Sequence, residues 1–113
     1  MSMNGDTLIA NLEALIAAGR DGPAVRFGLG KACLEHSDPV ASRRHLEQAV
    51  ALDPSYSAAW KLLGKACAEG GDAASAAHAW RQGIATARAK GDRQAVKEME
   101  VFLRRLERAA GSG

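Results

Sequence analysis

The pentapeptide LGKAC occupies residues 29–33 and again, unchanged, residues 63–67, so Gly30 and Gly64 lie 34 residues apart. An echo at a fixed period of roughly 20–50 residues marks a chain built from stacked copies of one supersecondary unit. Residues 23–56 laid over residues 57–90 extend the echo, because Ala24/Ala58, Glu35/Glu69, Asp38/Asp72, Gln48/Gln82 and Ala51/Ala85 also coincide. What one copy requires locally, the other must therefore also satisfy.

Capping residues and apolar periodicity divide the chain into six helices. Asp6 is a candidate N-cap, and Leu8, Ile9, Leu12, Leu15 and Ile16 share one helical face behind it, up to a stop at Gly19. Pro23 suits the first turn of a second helix that ends near His36. Asp38-Pro39 opens the third, which runs to about Ala51, and Pro54 breaks the chain before a fourth. Gly70-Gly71-Asp72 and Gly91-Asp92 each pair a helix stop with a new N-cap, which bounds the fifth and sixth helices. No segment alternates like a strand. An aromatic share of 4% with abundant alanine also favours closely packed helices over a β-sandwich.

The expectation is thus an all-α fold in one domain, since 113 residues suffice for one modest core. The domain spans residues 6–110: a half-repeat helix at 6–18, repeats at 23–56 and 57–90, and a capping helix at 92–110. Residues 1–5 are expected to be disordered and residues 111–113 to form a flexible tail.

The register has a packing rationale. Gly30 and Gly64 lack side chains, so the first helix of each unit can approach the second closely. The facing positions are also small, Ser42 and Ala49 in one unit and Ala76 and Gly83 in the next. Leu46 and Trp80 fill the space beside each crossing, and burying a side chain like Trp80 contributes about 2–3 kcal/mol. One period earlier, Ser42, Leu46 and Ala49 become Leu8, Leu12 and Leu15, which makes the first helix the second half of an incomplete repeat. One period later, Trp60, Leu63, Gly64 and Cys67 become Gln94, Lys97, Glu98 and Val101. That mostly polar face suits a solvated cap, while Ala95, Met99, Phe102, Leu103 and Leu106 form a separate apolar stripe.

These residues resemble the tetratricopeptide repeat family. Its pattern sets Leu-Gly three and four places after a bulky residue, followed by small and aromatic positions and a closing proline. Trp60, Leu63, Gly64, Ala76 and Trp80 fall at those offsets in the second unit, and Leu29, Gly30, Leu46, Ala49 and Pro54 in the first. AVALDPSYSAAW is typical wording for the junction between two such repeats. The departures are Cys33 and Cys67 at aromatic positions, Arg26 at the first bulky position and Arg88 at the second closing proline. The resemblance covers nearly all of residues 6–110 and is greatest to short bacterial members without assigned activity. It implies a right-handed solenoid of helical hairpins that acts as a protein-interaction module or adaptor.

Candidate chemistry is sparse. A net charge of +2 does not by itself call for nucleic acid or an anionic membrane. The amino-terminal stretch has no basic leader and its apolar run is interrupted, so a reduced, cytoplasmic setting is expected. Cys33 and Cys67 read as small buried hydrophobes on helices about 8–10 Å apart, beyond easy disulfide reach. His36 follows Cys33 at a metal-ligand spacing, but Gly70 stands at the matching place after Cys67. His45 and His78 read as solvated surface, and GLGKAC matches no phosphate-binding pattern. No catalytic, cofactor or metal site is expected.

A partner is expected in the concave groove lined by the first helices. By the family resemblance, the stripe Phe27, Lys31 and Leu34, continued by Lys61, Lys65 and Ala68, faces that groove; Met99 and Phe102 either close one end of it or pack inward. Lysines beside apolar groups suit an extended acidic peptide or a free carboxylate terminus. The asparagines with which some members clamp such a terminus are missing from the full repeats. The chain is expected to be a monomer or weak homodimer, and the alternatives are a self-assembling structural protein and an RNA-binding helical repeat. Against RNA, Glu98, Glu100 and Glu107 interleave with Arg93, Lys97, Arg104, Arg105 and Arg108 in the last helix.

Overall fold

A computed structural model describes residues 5–111. The helices are α1 (Gly5–Ala17), α2 (Pro23–Glu35), α3 (Pro39–Leu52), α4 (Ser57–Glu69), α5 (Ala73–Ala89) and α6 (Arg93–Gly111). Gly5 and Gly111 are helical, whereas the sequence reading placed them in the disordered start and the tail. The rest of those two segments lies outside the described residues.

Local chemistry fixes the ends. The carboxylates of Asp38, Asp72 and Asp92 accept hydrogen bonds from the backbone N–H groups of Ala41, Ser75 and Ala95, each at 3.1 Å. Pro23 and Pro39 occupy first-turn positions where no N–H is needed. The hairpin turns reverse through left-handed residues, Ser37 at φ 60° and its equivalent Gly71 at φ 84°. In both, the N–H of the following aspartate donates to a carbonyl five residues back, Asp38 to Cys33 and Asp72 to Cys67, at 2.9 Å.

Helices that are neighbours in sequence pack as neighbours in space, and α2, α4 and α6 also touch in succession. The radius of gyration, 14.5 Å, exceeds the roughly 13 Å of a compact domain of this length, as an array of hairpins requires. At the first crossing Leu46 fills the space a Gly30 side chain would occupy, and at the second Trp80 fills that of Gly64. Ser42 is fully buried and donates its hydroxyl to the Gly30 carbonyl at 2.7 Å, which satisfies a polar group at the tightest approach.

The sixth helix does not keep the 34-residue step. From α2 to α4 the first residues are 34 apart, but from Ser57 to Arg93 the interval is 36. Helix α5 has 17 residues where α3 has 14, and its connection onward is one residue shorter. Arg88 stands where the family pattern closes with proline, so nothing stops α5 early. In the 36-residue frame, Ala59, Trp60, Leu63, Ala66 and Cys67 correspond to Ala95, Val96, Met99, Phe102 and Leu103. All five α6 residues are buried or half-buried, so α6 packs as the first helix of a further repeat. Gln94 and Lys97 are exposed, as expected of a solvated face, and the packing face is the separate apolar stripe. What differs is that this stripe lies two residues beyond the 34-residue step.

Candidate functional site

The stripe expected to face the groove can be followed residue by residue. Lys31 on α2 and Lys65 on α4 are exposed, and no described acidic group pairs with either. Phe27 is half-buried, with its ring centroid 5.1 Å from that of Tyr56, the residue before α4. Leu34 and Ala68 are half-buried against the core. Each lysine thus stands beside partly exposed apolar surface.

Three of the expected residues have other employment. Met99 is 0% exposed and fills the space beside Gly83, so it belongs to the core and lines no groove. Phe102 is half-buried, its ring centroid 5.3 Å from that of Trp80. Lys61 Nζ lies 2.8 Å from Glu98 Oε2 and ties α4 to α6. The same carboxylate accepts from Gln94 at 3.2 Å, and these bonds, Lys61 first, hold it below the usual glutamate range. The 36-residue frame assigns the positions equivalent to Lys61, Lys65 and Ala68 to Lys97, Val101 and Arg104. Sequence reasoning missed these three, although the arginine at the closing-proline position was a signal that α5 runs on.

Other polar residues have structural work. Arg43 on α3 donates to Asp72 at the head of α5, 2.9 Å away, and to Ser75 Oγ at 3.1 Å. The two Ser75 hydrogen bonds, then Arg43, hold the Asp72 carboxyl at about 2. Arg26 forms a two-bond pair with Asp21, at 2.8 and 2.9 Å, and its Nη1 lies 3.1 Å from His45 Nδ1. His45 is therefore half-buried and partnered, which corrects the expectation of a solvated side chain. His78 is exposed beside Trp60.

The two thiols are buried and unbridged, and burial pushes both up from the ordinary cysteine value. A thiol raised in this way lacks the thiolate character that nucleophilic chemistry needs. Among the described residues, no three His, Cys, Asp or Glu side chains are grouped to hold a metal ion. No helix of the described residues is long and apolar enough to cross a membrane.

A linear array of helices in which sequence neighbours pack as hairpins defines a helical-repeat fold. The chain belongs to the tetratricopeptide repeat family. It is 53% identical over 102 residues to the TPR repeat-containing protein PA0015 of Pseudomonas aeruginosa, covering 90% of this chain and 97% of that one. Its structure resembles the solution structure of protein BPP2914 from Bordetella parapertussis, with a TM-score of 0.79 and 46% identity. That match covers 96% of this chain and 91% of the other. The crystal structure of MamA shares the fold, at a TM-score of 0.68 and 18% identity, covering 96% of this chain and 72% of MamA. No protein-family model matches the chain.

Proposed function

We propose that the chain is a protein-interaction module that binds an extended acidic segment of a partner along the stripe Phe27, Lys31, Leu34 and Lys65, continued over Lys97, Val101 and Arg104. One observation carries this reading: Lys31 and Lys65 repeat at one interval, exposed and without acidic partners among the described residues, while Lys61 beside them is neutralised by Glu98. Periodic cations flanked by Phe27, Leu34 and Ala68 match a segment that alternates carboxylates and small apolar groups. Lys61 acts here by fixing the spacing of α4 and α6, and Phe102 by packing on Trp80.

A library of extended acidic, neutral and basic peptides, read by fluorescence anisotropy, tests the assignment. Acidic members should bind at micromolar concentration, and Lys31→Glu with Lys65→Glu should weaken them by about tenfold or more. Indifference of binding to that double reversal would place the partner on another face. Preferential, steeply salt-dependent binding of RNA by the wild-type chain would replace the peptide reading with a nucleic-acid one.

A further inference from the structure

A cleft of about 660 Å³ lies between α1 and α3, with α2 as its floor, within the roughly 300–1,000 Å³ of small-molecule sites. Glu13 lines it from α1, Arg26 and Cys33 from α2, and Arg44 and His45 from α3. None of these residues belongs to the lysine stripe. One period later a second cleft lies between α3 and α5 over α4, and it is smaller, about 430 Å³. There Cys67 and Glu47 match Cys33 and Glu13, but Trp60, His78 and Ala79 stand in place of Arg26, Arg44 and His45. The first cleft therefore departs from its copy at three positions, two of them arginines. Asp21 draws the Arg26 guanidinium aside with two bonds, at 2.8 and 2.9 Å, so this side chain leaves open what the Trp60 indole fills.

Most of the polar groups around the first cleft are already matched. Arg26 is held by Asp21 and meets His45 Nδ1 at 3.1 Å. The Asp38 carboxylate accepts the Ala41 N–H, and Glu47 lies 3.5 Å from Arg43. Glu13 and Arg44 are left over, because neither makes a hydrogen bond or ion pair with a described residue. Their charges nevertheless converge, acting in opposite senses on the same two groups, the His45 imidazole and the Cys33 thiol. Since His45 Nδ1 accepts from Arg26, the neutral ring carries its proton on Nε2, a further donor beside Arg44. A carboxylate on one wall thus faces a guanidinium and an imidazole N–H on the other, across a gap too wide for direct pairing.

We propose that this cleft binds a small zwitterion of the amino-acid type, with the ligand carboxylate between Arg44 and His45 Nε2–H and its ammonium on Glu13. A ligand with both charges satisfies both walls, whereas a singly charged one satisfies one wall and is repelled by the other. The apolar part of the ligand meets Ile9 and Ala41, both half-buried, above the buried Cys33. Burial pushes the Cys33 thiol up, so the floor adds no negative charge beneath the carboxylate. Glu13 and Arg44 are both exposed, and water competes for their charges, so binding is modest in strength. It is independent of the acidic segment assigned to the lysine stripe.

Titration of the chain with leucine, read by the shifts of its backbone amide resonances, provides the test. Leucine should bind with a Kd of about 1 mM or tighter and move the amides of Glu13, Arg44 and His45. Leucine amide lacks the carboxylate and acetylleucine lacks the ammonium, so each should bind at least about tenfold more weakly. Arg44→Ala and Glu13→Gln should each weaken leucine by about tenfold as well, while Lys31→Glu with Lys65→Glu should leave it unchanged. Both cleft substitutions fall on exposed side chains, and circular dichroism checks that each variant stays helical. An absence of saturable shifts with leucine, equal binding of either singly charged derivative, or wild-type affinity in Arg44→Ala or Glu13→Gln would each overturn the proposal.

Discussion

The indole of Trp80 lies over Gly64 and donates its Nε1–H to the Lys61 carbonyl at 3.0 Å. A Cβ at residue 64 would meet ring atoms of Trp80, and a rigid ring cannot step aside as a flexible chain end does. Gly64→Ala should therefore destabilise the fold by about 1–2 kcal/mol, despite the helix-propensity gain of up to ~1 kcal/mol. Gly30→Ala should cost less, because Leu46 can change rotamer. Urea denaturation of both variants decides the order, and a stabilised Gly64→Ala chain would contradict the packing.

Met99 discriminates between the two registers for α6. Buried beside Gly83 and the Trp60 Cβ, it should cost about 2–4 kcal/mol on replacement by alanine. Lys97→Ala, on the exposed side of the same helix, should stay within about 0.5 kcal/mol of wild type. A strict 34-residue step would put Lys97 at the core position and reverse the ranking.

Ser37 holds φ 60° at the turn where the equivalent residue of the next repeat is Gly71. A side chain in the left-handed region is strained by about 1 kcal/mol, so Ser37→Gly should raise stability by about 0.5–1 kcal/mol. An increase in Tm is the expected readout.

His45 should make stability fall in mild acid. An arginine can only donate, so the contact from Arg26 requires an unprotonated Nδ1 on His45. Burial first, then the charges of Arg26 and Arg44, push the imidazole below its ordinary value, while Glu13 and Asp21 oppose them. The folded state thus binds a proton less readily than the unfolded chain. Stability is full above the unfolded value of about 6.5 and is lost as pH falls through the lower folded one. Urea midpoints between about pH 5 and 8 should show this slope, flattened in His45→Gln.

Much of the fold was legible because it is local. Aspartate caps, first-turn prolines and the LGKAC echo act within a turn or two of themselves, so they determine the helices wherever those helices end up. Gly30 and Gly64 also announced the close crossings, since a missing side chain at a periodic position has few other uses. Periodicity aligned Lys31 with Lys65, and the family resemblance turned their stripe toward a groove. Which of its lysines remain unpaired was not legible, because the partner of Lys61 is Glu98, 37 residues away.

The sequence by itself determined an all-α chain of paired helices in a 34-residue rhythm, because capping, periodicity and glycine placement are properties of neighbouring residues. Only the tertiary structure decided that α6 is set two residues out of that rhythm, that Met99 is core and that His45 is enclosed. The reason is geometric. Where α6 lands depends on how far α5 runs before the chain turns, and a helix advances about 100° with each residue, so two residues are enough to exchange its buried and exposed faces.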